Sequence, residues 1–237
     1  MKKLNNKTVI ITGASAGMGK AIALLFADQG ANVVLADLHQ KEINEVVEMI
    51  RDAGGVAIGA ECNVSVEADL KKLFDMAFKE FNSLDVLVNN AGVFIPGQVI
   101  NEEEGNLEKL IETNLYSAYN LSRLLVPAMM QKKNGHIFNV SSVAGIKAYP
   151  NGGSYSISKF AMNGLSKALR EELKDYNIKV TALLPGATYT DSWSGTNLPE
   201  SRFMKAEDIA QIIWDIYHLS DTTVVEEIIL RPVLGDI

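Results

Sequence analysis

The stretch Thr8-Val9-Ile10-Ile11-Thr12-Gly13-Ala14-Ser15-Ala16-Gly17-Met18-Gly19 decides the fold. Its first part is a β-branched run, which is typical of a buried strand. The glycine-rich turn follows at once, and residues 20–27 then place apolar side chains at helical spacing. A strand, a glycine turn and a helix in this order predict a phosphate-binding loop, because glycines let backbone amides approach an anion that the helix N-terminus attracts. A glycine-rich turn without a ligand is the alternative.

Asp37 narrows the predicted ligand from a phosphate group to a dinucleotide. It stands at the end of the next strand-like run, 31–36. Its distance from the glycine loop is close to the roughly 20 residues at which an acid binds the adenosine ribose of a dinucleotide. A carboxylate there repels a 2′-phosphate. The positions where a basic residue would attract that phosphate hold Ala16 and Leu38, so we predict NAD, with NADP less favoured. The alternative for Asp37 is an N-cap of a helix that starts near Lys41.

Length and composition favour one α/β domain over residues 1–237. The chain has 237 residues, of which 47% are apolar and 22% are charged. The single cysteine, Cys62, forms no internal disulfide, so we expect a reducing, cytoplasmic setting. Neither a membrane-spanning run nor a signal-peptide core is visible.

The net charge and the spacing of the histidines argue against several kinds of partner and against a metal site. The net charge of −7 argues against nucleic acid and anionic membrane surfaces as partners. The histidines, His39, His136 and His218, are scattered without metal-ligand spacing, so we predict no metal site.

Strand-like and helix-like segments alternate to the end of the chain. This alternation predicts a Rossmann-like doubly wound, mainly parallel seven-stranded sheet with helices on both faces. Ligands bind such sheets at the carboxyl ends of the strands. Strands are predicted near 7–12, 32–36, 56–60, 85–88, 135–140, 178–184 and 226–230, and helices near 18–29, 41–53, 66–81, 107–131, 154–175 and 206–218.

The second half of the chain carries a candidate proton-transfer site in Ser142, Tyr155 and Lys159. Tyr155 and Lys159 are four residues apart and therefore neighbours on one helix face. A nearby ammonium stabilises a phenolate and lowers the pKa of the tyrosine, which then moves protons near neutral pH. A surface helix pair is the alternative when this spacing is taken alone.

Taken together, the motifs resemble those of the short-chain dehydrogenase/reductase family in its single-domain form. The resemblance covers nearly the whole chain. It rests on Thr12-Gly13-x-x-x-Gly17-x-Gly19, Asn89-Asn90-Ala91-Gly92, Asn114, the Ser142, Tyr155 and Lys159 set, and Pro185-Gly186-Ala187-Thr188-Tyr189-Thr190. Two positions depart from the family: Asn63 replaces a frequent aspartate and Met18 a usual isoleucine.

The resemblance implies reversible hydride transfer between a nicotinamide and a small secondary alcohol or ketone. It implies that Tyr155 is the general acid and base, and that Lys159 lowers the pKa of Tyr155 and binds the nicotinamide ribose. Ser142 is then expected to bind the substrate oxygen, and Asn114 to hold a water that leads protons from Lys159 to solvent. The predicted cofactor-binding residues are Gly13, Ser15, Gly17, Met18, Gly19, Asp37, Asn63, Val64, Asn90, Ala91, Gly92, Tyr155, Lys159, Pro185, Gly186, Thr188 and Thr190.

Substrate recognition is predicted to involve a short lid near 190–205, which is polar, contains Gly and Pro, and carries Trp193. Trp193 is either a pocket wall or a loop anchor. Phe94, Ile146 and Tyr149 are further pocket candidates. The family resemblance also implies that helices 107–131 and 154–175 pair with symmetry mates in a homodimer or homotetramer.

The sequence leaves three other functions open. Two are enzymatic, an NADPH-dependent 3-oxoacyl (carrier protein) reductase and a pteridine or sugar reductase. Asp37 argues against the cofactor of the first. The third is a dinucleotide-sensing protein without catalysis, although such a protein is expected to have lost one of the four catalytic positions.

Overall fold

The strands form one parallel sheet in the computed structural model, which describes residue 4, residues 6–190, residue 193 and residues 195–237. Within these residues the sheet has seven strands in the order β3-β2-β1-β4-β5-β6-β7, and every neighbouring pair is parallel. The predicted fold class is confirmed. The strands are β1 (Thr8–Thr12), β2 (Asn32–Asp37), β3 (Val56–Glu61), β4 (Val86–Asn89), β5 (Gly135–Val140), β6 (Ile178–Pro185) and β7 (Glu227–Leu230).

Helices cover both faces of the sheet, because the side chains of each strand alternate between two cores. Val9 and Ile11 of β1 enter one core, which α1, α2 and α7 cover, whereas Ile10 enters the other, which α3, α5 and the end of α6 cover. The helices are α1 (Gly17–Asp28), α2 (Gln40–Asp52), α3 (Glu67–Phe81), α4 (Asn106–Ile111), α5 (Ser117–Lys132), α6 (Gly153–Leu173) and α7 (Ala206–Tyr217). Short 3₁₀ turns span Val143–Gly145, Lys174–Tyr176 and Glu200–Arg202.

The sequence predicts one continuous helix over 107–131, and the structure divides it. A π-helical turn, Glu112–Tyr116, separates α4 from α5. Asn114 lies in this turn with its side chain fully buried. Its amide is committed to hydrogen bonds outside the helix, and a widened turn is a common way to aim a side chain at a functional site.

The strand order reverses between β1 and β4. The chain runs from β1 outward to β3, then returns to place β4 on the other side of β1. The carboxyl ends of β1 and β4 therefore lie side by side, and Gly13 follows the first while Asn90 follows the second. This reversal is where doubly wound sheets bind ligands.

Asp85 joins the amino ends of the central strands β1 and β4, far from the carboxyl ends at which such sheets bind ligands. Its carboxylate accepts hydrogen bonds from the Thr8 amide and the Ser83 hydroxyl, each at 3.0 Å. It also pairs with Lys7 at 3.0 Å and Lys132 at 2.9 Å, and its side chain is only 3% exposed. Burial acts to raise the pKa of Asp85, but the hydrogen bonds from Thr8, Lys132 and Lys7 outweigh it and hold that pKa below its usual value.

We predict that Asp85→Ala lowers the free energy of unfolding by about 3 kcal/mol, because it leaves the buried Thr8 amide without an acceptor and removes the partner of the less buried Lys7 and Lys132. Urea denaturation measures this loss. The control is Asp75→Ala, which removes an exposed pair with Lys71 and should leave the unfolding free energy nearly unchanged.

The pH dependence gives an independent check. A carboxyl group with a lowered folded-state pKa stabilises the protein above its unfolded pKa of about 3.9, and this stabilisation disappears as the pH falls through the folded value. The difference between wild type and the Asp85 variant should therefore shrink in acid. A constant difference from pH 7 down to the lowest pH at which the protein folds would contradict this role.

Candidate active site

Ser142, Tyr155 and Lys159 meet at the carboxyl end of β5. Tyr155 and Lys159 lie one turn apart on α6, and the Lys159 ammonium donates a 3.0 Å hydrogen bond to the carbonyl of Val140, the last residue of β5. The same nitrogen lies 5.7 Å from the centre of the Tyr155 ring. The Ser142 hydroxyl accepts a 3.1 Å hydrogen bond from the Ala144 amide, which fixes the turn that follows β5.

Burial dominates the titration of both groups on α6. It raises the pKa of Tyr155 to about 12, against the opposing effect of a hydrogen bond with Ser142 and with a smaller contribution from Tyr149. It lowers the pKa of Lys159 to about 8. The pKa of Tyr155 therefore lies above its ordinary value, opposite to the direction expected from Lys159, because desolvation of the phenolate is the largest cause of its shift.

Asn114 links the turn between α4 and α5 to the same site. Its Oδ1 accepts a 2.8 Å hydrogen bond from the Val93 amide, and its Nδ2 donates to the Val93 carbonyl and to Ser158 Oγ, both at 3.0 Å. Ser158 Oγ in turn donates to the backbone carbonyl of Tyr155 at 2.7 Å. Asn114 thus holds both the segment after β4 and the helix of Tyr155, while its role toward a water stays a prediction.

A cleft of 580 Å³ opens where β1 and β4 end. Most of the predicted cofactor-binding residues line it. Those residues are Gly13, Ser15, Gly17, Met18, Asp37, Asn63, Val64, Asn90, Ala91, Gly92 and Thr190, and Ala16, Leu38, Cys62, Ser65, Val93, Lys109, Glu112 and Thr113 complete the wall. Lys109 is the one basic residue among the described residues of this wall, and the acidic Glu112 is part of the same wall.

The glycines of the loop permit close approach of backbone to backbone. A Cβ on Gly19 would lie 2.0 Å from the Gly13 carbonyl oxygen, and one on Gly13 would lie 2.9 Å from Ala91 Cα. Gly13 also has a φ of +64°, which favours glycine. Gly19 does not line the cleft itself, so the structure gives it a packing role between the loop and the helix it begins.

Asp37 lies at the wall of the cleft with its carboxylate already oriented. One oxygen accepts hydrogen bonds from the Ser15 amide at 3.0 Å and the Ser15 hydroxyl at 2.8 Å, and the other accepts one from the Leu38 amide at 2.7 Å. The alternative of an N-cap is wrong, because the N-cap position of α2 is His39 and receives no side-chain cap. Asn63 accepts a 3.0 Å hydrogen bond from the Ser65 amide and shapes the adjoining wall.

The segment after β6 forms the remaining side of the site. Pro185 ends β6, and the Gly186 amide donates to the Leu230 carbonyl at 2.8 Å. Thr188 is buried, donates to the Gly186 carbonyl at 3.2 Å and pairs with Met204. Thr190 approaches the glycine loop, since a Cβ on Gly17 would lie 2.9 Å from its methyl group. Pro185, Gly186 and Thr188 are thus placed beside the cleft rather than in its wall.

Part of the predicted lid near 190–205 lies outside the described residues, namely Asp191, Ser192 and Ser194. At its base, the Tyr189 amide donates to the Met204 carbonyl at 2.8 Å. The Trp193 ring packs against the buried Phe203 ring at 4.9 Å, which favours the loop anchor over the pocket wall. Phe94 is the aromatic residue that contacts the candidate acid, because its ring meets that of Tyr155 edge-on at 4.9 Å.

Thr12 belongs to the glycine motif, but the sequence did not single it out as a site residue. Its hydroxyl oxygen accepts hydrogen bonds from the amides of Asn90 at 3.1 Å and Ala91 at 3.0 Å. The Asn90 side-chain amide returns 2.9 Å hydrogen bonds to the carbonyls of Thr12 and Gly13. These contacts join the ends of β1 and β4. The sequence signal for this role of Thr12 is a hydroxyl side chain at the last position of the strand before the glycine loop.

The described part of the chain offers no cluster of His, Cys, Asp or Glu side chains that fits a metal ion. None of its helices combines the length and apolar character that crossing a membrane requires.

Comparison with known proteins decides the family. The family described as short chain dehydrogenase matches residues 7–200. The 3-oxoacyl-[acyl-carrier-protein] reductase FabG of Thermotoga maritima is 33% identical over 221 residues, which cover 89% of this chain and 90% of that protein. This chain belongs to the short-chain dehydrogenase family.

Two solved structures support the same assignment. A 7α-hydroxysteroid dehydrogenase complexed with NADH and 7-oxo glycochenodeoxycholic acid is similar with a TM-score of 0.90 and 32% identity, covering 99% of this chain and 96% of that one. A metagenomic short-chain oxidoreductase in complex with NADP has a TM-score of 0.86 and 31% identity, covering 98% and 100%. The protein is therefore an oxidoreductase that acts on a CH–OH group, or the matching carbonyl, with a nicotinamide dinucleotide.

We predict that Thr12→Val weakens dinucleotide binding and lowers the free energy of unfolding by about 1–3 kcal/mol, because the amides of the partly buried Asn90 and Ala91 lose their acceptor. Calorimetric titration with NADH and urea denaturation measure the two effects. Thr8→Val in the same strand is the matched control, since the buried Thr8 hydroxyl has no hydrogen-bond partner among the described residues. Equal losses in the two variants would contradict the role of Thr12.

Proposed function

We propose that this enzyme transfers hydride reversibly between the nicotinamide of NAD and a small secondary alcohol or ketone, with Tyr155 as general acid and base. The observation that carries the proposal is the meeting of Ser142, Tyr155 and Lys159 at the end of β5, beside a dinucleotide-sized cleft at the strand reversal. A phenol, a hydroxyl and a buried ammonium held together can donate a proton to a carbonyl oxygen and stabilise the charge that develops on it.

The residues of the cleft fit a dinucleotide. The crowded glycines leave no space for side chains, so the backbone of the loop can approach a pyrophosphate at the start of α1. Asp37, held by Ser15, presents a carboxylate for the adenosine ribose hydroxyls. Asn63 and Val64 would contact adenine, and Asn90 to Gly92 the nicotinamide side. When bound, the dinucleotide supplies or accepts the hydride.

The chain's own residues would then handle the proton and the developing charge. Tyr155 carries its proton at neutral pH, because its pKa is about 12, and would donate it to the carbonyl oxygen during reduction. Ser142 would donate a hydrogen bond to the same oxygen, and Lys159 would hold the nicotinamide ribose. In the reverse direction the phenolate would accept the proton of the alcohol. Gly186, Thr188 and Thr190 would border the nicotinamide.

Replacing the phenol tests the catalytic role. We predict that Tyr155→Phe lowers kcat for ketone reduction by about 10²–10⁴, as expected for loss of a general acid, and leaves NADH binding intact. The measurement follows loss of NADH absorbance over a panel of small ketones. Tyr176→Phe, at an exposed tyrosine outside the site, is the control.

Each result of this assay has a clear meaning. Wild-type rates in Tyr155→Phe would contradict the role of the phenol. Tight NADH binding by the wild type without turnover on any ketone would favour the dinucleotide-sensing alternative.

The preference for NAD is supported by the acidic residue and by its neutral neighbours. Asp37 presents negative charge where a 2′-phosphate would lie, and Ala16 and Leu38 in the same wall offer no positive charge. Lys109 lines the cleft, but together with the acidic Glu112. The similar solved structures contain NADH in one case and NADP in the other, so the preference between NAD and NADP depends on the residues of this chain.

We predict that the wild type binds NADH more tightly than NADPH and that Asp37→Ala reduces this preference about tenfold or more, since a charge-assisted hydrogen bond contributes about 1.5 kcal/mol or more. Binding titrations with both dinucleotides measure the ratio. Glu42→Ala, an exposed acid on α2, controls for the change in net charge. A wild type that prefers NADPH would overturn the assignment.

Reduction of a 3-oxoacyl substrate is the second candidate function, because the similarity to the FabG reductase spans most of both chains. A pteridine or sugar reductase is a further alternative within the same chemistry. The short lid and the apolar side chains of Phe94, Ile146 and Tyr149 favour a modest, partly apolar substrate. A substrate panel that includes a 3-oxoacyl thioester separates these alternatives.

We also propose a single domain over residues 1–237 that works as a homodimer or homotetramer. Large apolar side chains on the predicted pairing helices support this assembly, because they are about half exposed: Tyr116 and Tyr119 near the start of α5, and Ile157 and Phe160 on α6. The free, buried Cys62 supports a cytoplasmic setting.

A further inference from the structure

The connection from β4 to α4 contacts several parts of the candidate site. We call its residues 92–102 the β4–α4 strap. A Cβ on Gly92 would lie 3.2 Å from Asn114 Oδ1 and 3.5 Å from Lys159 Nζ, so the backbone passes directly beside both. The next residue binds Asn114 through its backbone, and Phe94 meets the Tyr155 ring. The first part of the strap therefore packs against the candidate catalytic residues.

The far end of the strap is fixed to the start of α6. The Gly97 amide donates to the Asn151 carbonyl at 3.0 Å, and Gly97 pairs with Gly152 as a parallel bridge. One carboxylate oxygen of Glu102 accepts a hydrogen bond from the hydroxyl of Ser154. Ser154 is the residue directly before Tyr155, and it is 1% exposed. Glu102 thus contacts the first turn of the helix that presents the phenol.

A carboxylate suits this place for two physical reasons. The first amides of a helix have no acceptor within the helix, and the aligned peptide dipoles leave a partial positive charge there. The N-cap position of α6 is Gly152, which provides no side-chain cap. A Cβ on Gly153 would lie 2.5 Å from the Gly97 carbonyl oxygen and 3.1 Å from Glu102 Oε2, so the strap and the helix start are in close contact.

The second oxygen of the carboxylate is enclosed as well. Glu102 Oε2 is buried and accepts no hydrogen bond from the residues that the structure describes. Burying an ionisable oxygen opposes folding unless its charge is compensated. The groups that can compensate the charge of Glu102 are the Ser154 hydroxyl and the positive end of α6. The contact between Glu102 and Ser154 is therefore a specific one.

We propose that Glu102 is a positioning residue for the proposed general acid. By binding Ser154 it fixes the first turn of α6, and with it the distance of the Tyr155 phenol from Ser142. The inference rests on the proposed function, because it assigns Glu102 to the same reaction. Glu102 acts through Ser154 and the helix, and it does not itself contact the substrate.

The first test compares Glu102→Ala with Glu102→Gln. Glu102→Ala should lower kcat for ketone reduction by roughly tenfold, since small displacements of a catalytic group lower the rate steeply. KM for NADH should stay within about twofold, because the dinucleotide cleft is built at the other end of the strap. Glu102→Gln keeps an acceptor for the Ser154 hydroxyl and should recover most of kcat. Glu103→Ala, at the exposed neighbour, should match the wild type.

The second test asks whether Glu102 acts through Ser154. Ser154→Ala removes the donor and should lower kcat in the same direction. In the double variant Glu102→Ala/Ser154→Ala the losses should not add, because both changes remove one contact. Fully additive losses would show that Glu102 acts elsewhere and would overturn the assignment.

The outcomes separate this inference from the proposed function. If the wild type reduces ketones and Glu102→Ala matches it, or if Glu102→Ala loses NADH affinity as much as kcat, the positioning role is wrong and the proposed function stands. If the wild type reduces none, the proposed function fails, and amide hydrogen exchange in residues 153–160 still tests the contact. That exchange should quicken in Glu102→Ala but not in Glu103→Ala, and equal exchange would overturn the inference.

Discussion

The structure depends on accommodating one buried cation. The Lys159 side chain is 4% exposed, and its ammonium donates to the Val140 carbonyl but forms no ion pair with a carboxylate among the described residues. Burying an ammonium in this way is unfavourable, and its pKa falls to about 8 as a result. The end of β5 supplies its acceptor, and the backbone at Gly92 passes beside both the ammonium and Asn114.

A second constraint is the close approach of backbone at the ends of β1 and β4. Backbone must approach backbone at the strand reversal, and glycines alone allow distances such as that between Gly19 and the Gly13 carbonyl. Thr12 and Asn90 then exchange hydrogen bonds across the two strands. The centre of the cleft is therefore built on the ends of two central strands, whereas the candidate substrate residues Phe94, Ile146 and Tyr149 lie in the connections between elements. This division is common in doubly wound folds, where a fixed cofactor site is combined with variable substrate loops.

The sequence predicts the sheet well because the information is local. β-branched runs, helical periodicity and the glycine loop each act within about ten residues, and the strands and most helices fall where these patterns place them. Sequence patterns do not reveal the π-helical turn around Asn114, since it is accompanied by hydrogen bonds to Val93, which lies in the connection after β4. The pKa of Tyr155 was predicted in the wrong direction for a related reason. Spacing on a helix shows that Lys159 is near, but it does not reveal how completely the fold removes water from the phenol.

In the proposed mechanism, the two titrations together describe the protonation state from which the reaction starts. A tyrosine with a pKa of about 12 and a lysine with a pKa of about 8 are both protonated at neutral pH. This is the form that carbonyl reduction requires, because a proton is ready on the phenol and a positive charge is available to stabilise the phenolate that remains. Alcohol oxidation must first remove the phenol proton, against the same burial that raises its pKa. Desolvation therefore gives the two directions unequal starting points, and a positive charge brought close to Tyr155 is the physical means of balancing them.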